Sequence, residues 1–294
     1  MPPTAITPLS VRATLDGRRV LATGVTGFLG KVWALDALSR LPGLRVTALV
    51  RPRRRQAATD RLVELLGTSP ALRPLREAHG DGLAAWLADR LDVLPGDVSA
   101  SRCGIDDATV KALLGEVDLV LHCAGLTDFQ PDPSKALAAN VDGAVHAAEL
   151  AEALGVPLVH VSTAYVAGRV DGRIPERQDP WVAPSGIDMD PHEEVEGLRA
   201  DLQALPTGRA AAGQRIDAAM VRADRLGWPN IYTLTKGLAE RLLLTWDNLD
   251  VTIVRPTIVE CARRFPFAGW NEGLNTSAPL AWLISTAFRD FPSR

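Results

Sequence analysis

A glycine-rich turn near the N-terminus limits the fold of this chain more than any other feature. Residues 19–24 form a short apolar run that ends in glycine, and an apolar helical pattern follows over residues 28–41. Three glycines stand at this junction with the spacing G-x-x-G-x-x-G. They permit a tight turn, a close approach of backbone to a pyrophosphate at a helix N-terminus, and close packing of helix on strand. The predicted dinucleotide site consists of Thr23, Gly24, Thr26, Gly27, Phe28, Leu29 and Gly30.

Strands alternate with helices along the rest of the chain. Their apolar runs are continuous, as expected for strands that are covered on both faces. The pattern predicts an α/β fold with a doubly wound parallel sheet of the Rossmann type. The later predicted strands are residues 44–50, 91–94, 117–122, 158–162 and 251–255, and the later predicted helices are residues 140–154 and 232–246, with an interrupted helical stretch over 56–90.

Composition excludes several classes of protein. The net charge is −3, whereas nucleic-acid-binding proteins normally have a basic excess. The three cysteines are scattered without the spacing of a disulfide framework or a zinc site, so we expect no metal. No basic-then-apolar leader opens the chain, and no run reaches the ~18 apolar residues that a membrane span needs. We expect a cytoplasmic protein. Peripheral membrane contact remains open, and the oligomeric state is unknown.

The residue after the second predicted strand indicates which cofactor is bound. NAD-binding proteins tend to place an acidic residue there to hold the ribose 2′-hydroxyl, whereas this chain has Arg51. A guanidinium is suited to phosphate oxygens, so we expect Arg51 to bind the 2′-phosphate of NADPH. At least two of the arginines at positions 53–55 are expected to be a solvated charge run.

Two further strand ends border the expected path of the cofactor. Asp97 and Val98 follow the third strand, where a contact with adenine would fall. Cys123, Ala124 and Gly125 follow the fourth strand, and their small side chains leave room for the dinucleotide. A nucleophilic role for Cys123 is the alternative, and it is disfavoured because no base accompanies the thiol.

A tyrosine and a lysine four residues apart predict a proton-transfer site. Tyr232 and Lys236 lie on one face of a predicted helix. A free tyrosine has a pKa near 10, and we expect the ammonium to stabilise the phenolate so that Tyr232 can donate a proton to a carbonyl oxygen. Lys236 is also expected to bind the nicotinamide ribose. Thr163, with Ser162 as second choice, ends the fifth strand and would steady the substrate oxygen.

Several segments together resemble the extended short-chain dehydrogenase/reductase superfamily, and within it the fatty acyl-CoA reductases and thioester reductase domains. These segments are residues 23–30 (TGVTGFLG), 48–51 (ALVR), 160–166 (HVSTAYV), 228–236 (WPNIYTLTK) and 254–259 (VRPTIV). The resemblance implies NADPH-dependent reduction of long-chain fatty acyl thioesters, on coenzyme A or an acyl carrier protein, to fatty aldehyde or fatty alcohol in lipid metabolism. It assigns the catalytic roles to Thr163, Tyr232 and Lys236, and it implies cofactor contacts at Pro256, Thr257 and Ile258.

The resemblance also frames the domain organisation. We expect a loose lead-in over residues 1–17 and an NADP-binding Rossmann-type domain over 18–260, with a helical insertion over about 170–228. Residues 261–294 would begin a substrate-side region that is longer in the family. The chain would then be a fragment, one domain of a larger polypeptide, or a naturally short protein. The insertion is too long for a plain loop and is interpreted as a lid over the active site, or else as a surface excursion.

Other functions fit the same scaffold. A sugar-nucleotide epimerase or dehydratase, or another extended short-chain dehydrogenase/reductase, would keep the tyrosine and lysine, but the epimerases and dehydratases commonly use NAD, which Arg51 disfavours. A non-catalytic NADP-binding module is the alternative if the chain is truncated.

Overall fold

A six-stranded parallel sheet forms the centre of the protein, and it confirms the predicted doubly wound α/β fold. The computed structural model describes residues 10–272. The strands are β1 (Arg19–Thr23), β2 (Arg45–Val50), β3 (Leu91–Pro95), β4 (Leu119–His122), β5 (Leu158–Val161) and β6 (Val251–Val254). Their order in the sheet is β3-β2-β1-β4-β5-β6. Because the order reverses between β1 and β4, a crevice for a ligand is expected where these strands end.

Helices flank the sheet, and most lie where the sequence predicts them. They are α1 (Val11–Leu15), α2 (Phe28–Arg40), α3 (Ala58–Thr68), α4 (Arg73–His79), α5 (Leu83–Ala88), α6 (Asp107–Leu113), α7 (Pro133–Ala136), α8 (Gly143–Leu154), α9 (Pro191–Gln203), α10 (Ala212–Leu226) and α11 (Ile231–Leu244). A π-helical turn, Leu137–Asp142, joins α7 to α8, so this helical stretch begins earlier than predicted. Short 3₁₀ turns occupy Pro70–Leu72, Gly80–Gly82, Ser101–Gly104, Ala164–Ala167 and Arg209–Ala211.

Both faces of the sheet are buried, which explains the continuous apolar runs of the strands. Leu21 of β1 packs into a core with β4, β5, α8 and α11. Its neighbours Val20 and Ala22 pack on the other face, in a core that includes residues of α2, α3 and β2. Alternate side chains of a strand point to opposite faces, so a strand that is covered on both sides needs apolar residues throughout.

The helical insertion packs on the outside of α11, and its interpretation as a lid over the active site stays a prediction. Its two long helices, α9 and α10, pack against each other and against α7 and α11. Val195, Leu198 and Leu202 of α9 lie in one buried cluster with Leu234 and Leu238 of α11. The insertion therefore forms an outer layer on α11, because its amphipathic helices bury their apolar faces against that helix.

Both ends of the described residues have defined structure. Within the expected loose lead-in, α1 is a helix whose N-terminus is capped by Ser10, and residues 1–9 lie outside the described residues. At the other end, the ring of Trp270 stacks on Phe28 with centroids 4.8 Å apart. The Glu272 carboxylate pairs with the buried Lys31 ammonium at 2.5 Å. The first part of the expected substrate-side region thus packs on α2, and residues 273–294 lie outside the description.

Across residues 10–272, none of the helices combines the length and the apolar character that crossing a bilayer would require.

Candidate active site

The three glycines of the N-terminal turn have different structural roles. Gly24 has a φ of +75°, and a methyl group on it would lie 2.5 Å from the carbonyl carbon of Cys123. A methyl group on Gly30 would overlap the carbonyl group of Gly24. At Gly27, by contrast, a methyl group would meet one neighbour among the described residues within 4 Å, the Gly24 oxygen at 3.2 Å. Glycine is therefore required most strictly at 24 and 30, whereas beside Gly27 the described residues leave space except toward the Gly24 oxygen.

The N-terminus of α2 is suited to an anion. Gly27 is its N-cap residue, and no side chain caps the first turn. The free backbone N–H groups of that turn and the positive end of the helix dipole favour phosphate oxygens. The open space at Gly27 and the uncapped helix start together fit the pyrophosphate of a dinucleotide, as the sequence predicts. Thr26 and Leu29 flank this position, and both are partly exposed.

Arginines from two elements meet beside the glycine turn. Arg51 follows β2 and is largely exposed, while Arg61 on α3 donates from Nη1 to the Arg51 carbonyl at 2.8 Å and from Nη2 to Thr26 Oγ1 at 3.4 Å. Burial, then the charges of Arg53 and Arg51, lower the pKa of Arg61. A cavity of about 180 Å³ is lined by Thr26, Arg53 and Arg61 among others. Sequence reasoning missed Arg61, because its position is set by the packing of α3.

Asp97 and Val98 lie where β3 ends, near the arginines. The Asp97 carboxylate accepts from the backbone N–H and the hydroxyl of Ser99, and Oδ2 is 3.8 Å from Arg51 Nη1. The Val98 carbonyl is 2.8 Å from His146 Nδ1. These contacts fix the backbone of this strand end beside the expected cofactor path.

The hydroxyl of Thr23 joins the ends of β1 and β4. Its Oγ1 accepts from the backbone N–H groups of Cys123 and Ala124, both at 3.2 Å, and lies 2.9 Å from His122 Nδ1. Thr23 is buried, so its hydroxyl serves this junction and not the surface of the turn. Burial raises the pKa of the Cys123 thiol, and the Lys236 charge opposes the rise. A protonated thiol is a poor nucleophile, which supports the expectation that Cys123 has no such role.

A buried asparagine that sequence reasoning missed positions the loop after β4. Asn140, in the π-helical turn, accepts from the Leu126 N–H at 2.7 Å and donates to the Leu126 carbonyl at 3.1 Å. Its Nδ2 also donates to Thr235 Oγ1 at 3.0 Å. A methyl group on Gly125 would lie 2.9 Å from Asn140 Oδ1. Asn140 thus ties this loop to α11, and π-helical turns are frequent at functional sites.

The structure brings Thr163 and Tyr232 together. Thr163 follows β5, and Tyr232 lies in the first turn of α11. The ring centroids of Tyr232 and Phe129 are 6.3 Å apart. Burial raises the pKa of Tyr232, and a hydrogen bond with Thr163 opposes the rise. The shift is opposite to the expected stabilisation of a phenolate, and it keeps the phenol protonated at neutral pH. Ser162 is buried and does not show a hydrogen bond for its hydroxyl within the described residues.

Lys236 lies on α11, one turn after Tyr232, and its side chain reaches the end of β5. Its Nζ donates to the Val161 carbonyl at 2.8 Å and lies 3.1 Å from His160 Nε2. Burial lowers the pKa of Lys236 to about 8, and the charge of Glu240 opposes the fall. Glu240 is itself paired with Arg255 at 2.6 Å.

The segment after β6 closes the same end of the sheet. The Pro256 carbonyl accepts from the Ala164 N–H at 2.9 Å, which places the start of this segment beside Thr163. Thr257 and Ile258 are exposed. The sites predicted after β1, β4, β5 and β6 therefore lie along one end of the sheet.

Comparison with known proteins decides the family. A sequence profile of NAD-binding domains described as "Male sterility protein" matches residues 22–289. The chain belongs to this family. Among curated proteins, the chain is similar to the probable fatty acyl-CoA reductase 5 of Arabidopsis thaliana, 33% identical over 89% of this chain and 55% of the relative. The alcohol-forming fatty acyl-CoA reductase of Simmondsia chinensis is 30% identical over 91% of this chain and 56% of the relative. The chain thus spans about half the length of these relatives.

Solved structures agree with the family at the level of the fold. The terminal R domain of the myxalamid PKS-NRPS pathway superimposes with a TM-score of 0.57 at 24% identity, over 86% of this chain and 51% of that one. The reductase domain of a non-ribosomal peptide synthetase from Mycobacterium tuberculosis gives 0.53 at 23% identity, over 85% and 51%. The family resemblance predicted from the sequence is confirmed.

Proposed function

We propose that this chain is the cofactor-binding and catalytic part of an NADPH-dependent reductase of long-chain fatty acyl thioesters. The acyl group would arrive on coenzyme A or on an acyl carrier protein and leave as fatty aldehyde or fatty alcohol. The observation that supports this most is the meeting of Tyr232, Thr163 and Lys236 at the sheet end where the glycine turn also opens. The acyl substrate is supported by the relatives named as fatty acyl-CoA reductases.

The residues of the glycine turn and the arginine cluster fit NADPH. The open backbone at Gly27 and the uncapped start of α2 would bind the pyrophosphate. Arg61, which contacts Thr26, and Arg51, whose backbone carbonyl accepts from Arg61, would bind the 2′-phosphate. Lys236 would bind the nicotinamide ribose with the N–H that its protein partners do not use. When bound, the cofactor supplies the hydride for the reduction.

Side chains of the protein would then control the transfer of a proton to the substrate. The raised pKa of Tyr232 keeps its phenol protonated, so it can donate a proton to the substrate carbonyl oxygen. Thr163, which is near enough to Tyr232 to affect the pKa of the phenol, would donate to the same oxygen and fix its position. The ammonium of Lys236 favours negative charge on the phenolate left behind.

The test is to measure NADPH oxidation by this chain with a long-chain acyl-CoA, the matching acyl carrier protein and the matching fatty aldehyde. Gas chromatography of the products would separate aldehyde from alcohol, and alcohol formation consumes twice as much NADPH per product. We expect oxidation with at least one acyl thioester, and loss of it in Tyr232→Phe. Turnover of a nucleotide sugar without acyl thioester reduction would instead support the epimerase alternative.

A further inference from the structure

Two histidines are buried side by side in the centre of the sheet. His122 of β4 and His160 of β5 are direct neighbours in the strand register, and both are 0% exposed. Their rings stack with centroids 5.2 Å apart and an interplanar angle of 16°. Burial lowers the pKa of His122 to about 3 and that of His160 well below its ordinary value, and the Lys236 charge lowers both further. Both imidazoles are therefore neutral in the folded protein.

Hydrogen-bonding capacity fixes the role of His160. The ammonium of Lys236 can only donate, so His160 Nε2, at 3.1 Å from it, must accept, and the proton of this neutral ring lies on Nδ1. A second ammonium N–H goes to the Val161 carbonyl at 2.8 Å. An ammonium has three donors, so one remains for a ligand at the sheet end.

We propose that His160 is a positioning residue which, together with Val161, fixes the ammonium of Lys236 so that its third N–H faces the cofactor. This inference rests on the proposed function for the role of Lys236, whereas the contact between the two side chains does not. His122 has a different partner, Thr23 Oγ1 at 2.9 Å, and does not hydrogen-bond Lys236. The two histidines are thus alike in burial and differ in their contact with the lysine.

The surroundings of Lys236 make its charge sensitive to this contact. Glu240 and Tyr232 are on its own helix, His122 and Cys123 are at the end of β4, and His160 is on β5. Among the described residues, Glu240 is the one carboxylate that affects Lys236, and Arg255 neutralises it in part. Burial disfavours the charged form of Lys236, so a hydrogen-bond acceptor in direct contact with the ammonium is needed to stabilise that form. His160 supplies that acceptor without titrating above the acid range.

The first experiment observes the contact without any turnover. Long-range ¹H–¹⁵N correlation spectra of the ¹⁵N-labelled chain report which nitrogen of each histidine is protonated, and the His160→Gln spectrum identifies the His160 signals among those of the 5 histidines. We expect His160 to be protonated on Nδ1 near neutral pH, with an Nε2 signal that moves in Lys236→Met. Protonation on Nε2, or an Nε2 signal that Lys236→Met leaves unchanged, overturns the proposal.

The second experiment measures the pH profile of NADPH-dependent turnover. His160→Leu removes the acceptor and should lower the pKa of Lys236. The alkaline limb of the pH–rate profile should therefore shift to lower pH by about one unit. His160→Gln retains an acceptor and should restore the wild-type limb. His122→Leu removes an equally buried ring and should leave the limb in place, whatever it does to the maximal rate. Equal shifts in His160→Leu and His122→Leu would overturn the positioning role.

The two experiments separate this inference from the proposed function. Wild-type protein without turnover on any acyl thioester would contradict the proposed function, and the histidine spectra would still decide the contact. If His160→Leu does not fold, the histidine spectra and the pH profile of His160→Gln still test the positioning role. Glutamine retains a hydrogen-bond acceptor, so an alkaline limb that is shifted in His160→Gln would contradict the proposal.

Discussion

Arg61 Nη1 lies 2.8 Å from the backbone carbonyl oxygen of Arg51, and the Arg51 charge is near enough to help lower the pKa of Arg61. We predict that Arg51→Ala and Arg61→Ala each weaken NADPH binding by about 10- to 100-fold, because a hydrogen bond to a charged group contributes ~1.5–3 kcal/mol. NADH binding should change little. Fluorescence titration with both cofactors measures this, with the exposed Arg55→Ala as control. Equal losses for NADPH and NADH would contradict the 2′-phosphate assignment.

We predict that Tyr232→Phe lowers turnover by about 10²- to 10⁴-fold, the usual contribution of a positioned proton donor. NADPH affinity should stay near that of the wild type, because the phenol is assigned to the substrate. The chain has 2 tyrosines, so Tyr165→Phe is a matched control. Tyr165 is 44% exposed, and its variant should retain turnover. A Tyr232→Phe protein with normal rates would remove this residue as the proton donor.

Gly30→Ala should destabilise the fold although alanine favours a helix. The new methyl group would overlap the Gly24 carbonyl, and overpacking of this kind costs about 1–3 kcal/mol. Gly213→Ala is the matched control, since it lies in α10 with open space around it and should stabilise the protein by up to ~1 kcal/mol. Urea denaturation measures both. An unchanged free energy of unfolding in Gly30→Ala would show that α2 can move away from the turn.

The buried histidines should make the protein acid-sensitive. His122, with a folded pKa of about 3 and an ordinary value of 6.5, binds a proton only in the unfolded state between these values. Stability is therefore full above pH 6.5 and falls as pH decreases toward 3, by ~1.4 kcal/mol per pH unit for each such histidine. Free energies of unfolding at about pH 7.5 and about pH 5 measure the slope.

In His122→Asn the slope should be shallower, since the side chain keeps an acceptor for Thr23 but does not titrate. His192→Asn, at an exposed position, serves as the control. An unchanged slope in His122→Asn would mean that acid unfolding is governed by other groups.

The sequence predicts the elements that depend on local pattern. The central strands β1 and β4 are largely apolar runs. Gly30 is required by contact between the glycine turn and the helix that follows it, and Gly24 by contact with the backbone that follows β4. Features that depend on distant packing were missed. The amphipathic pattern of α9 and α10 shows that one face is buried, but not that α11 covers it. Arg61 reaches the glycine turn only through the placement of α3, and the pattern around Asn140 gives no sign of a π-helical turn.

The candidate site was predicted in part for the same reason. Thr163 and Tyr232 end up near each other because a strand end and a helix start both lie at the carboxyl end of a parallel sheet, which the order of elements indicates. The direction of the Tyr232 pKa shift could not be predicted, since it depends on how deeply the packed protein buries the phenol. The link from Lys236 to His160 spans 76 residues of sequence and depends on strand register.

The enclosure of α11 between the sheet and the insertion has a consequence for genetic variation. In this helix 12 of the 14 residues are buried, the others being Tyr232 and Leu244. Even Gly237 is constrained, because a methyl group there would overlap the indole of Trp228. In a saturation mutagenesis screen for soluble protein, α11 should appear as one nearly unbroken intolerant block. Tyr232 should be the position where substitutions abolish activity and yet leave abundance intact.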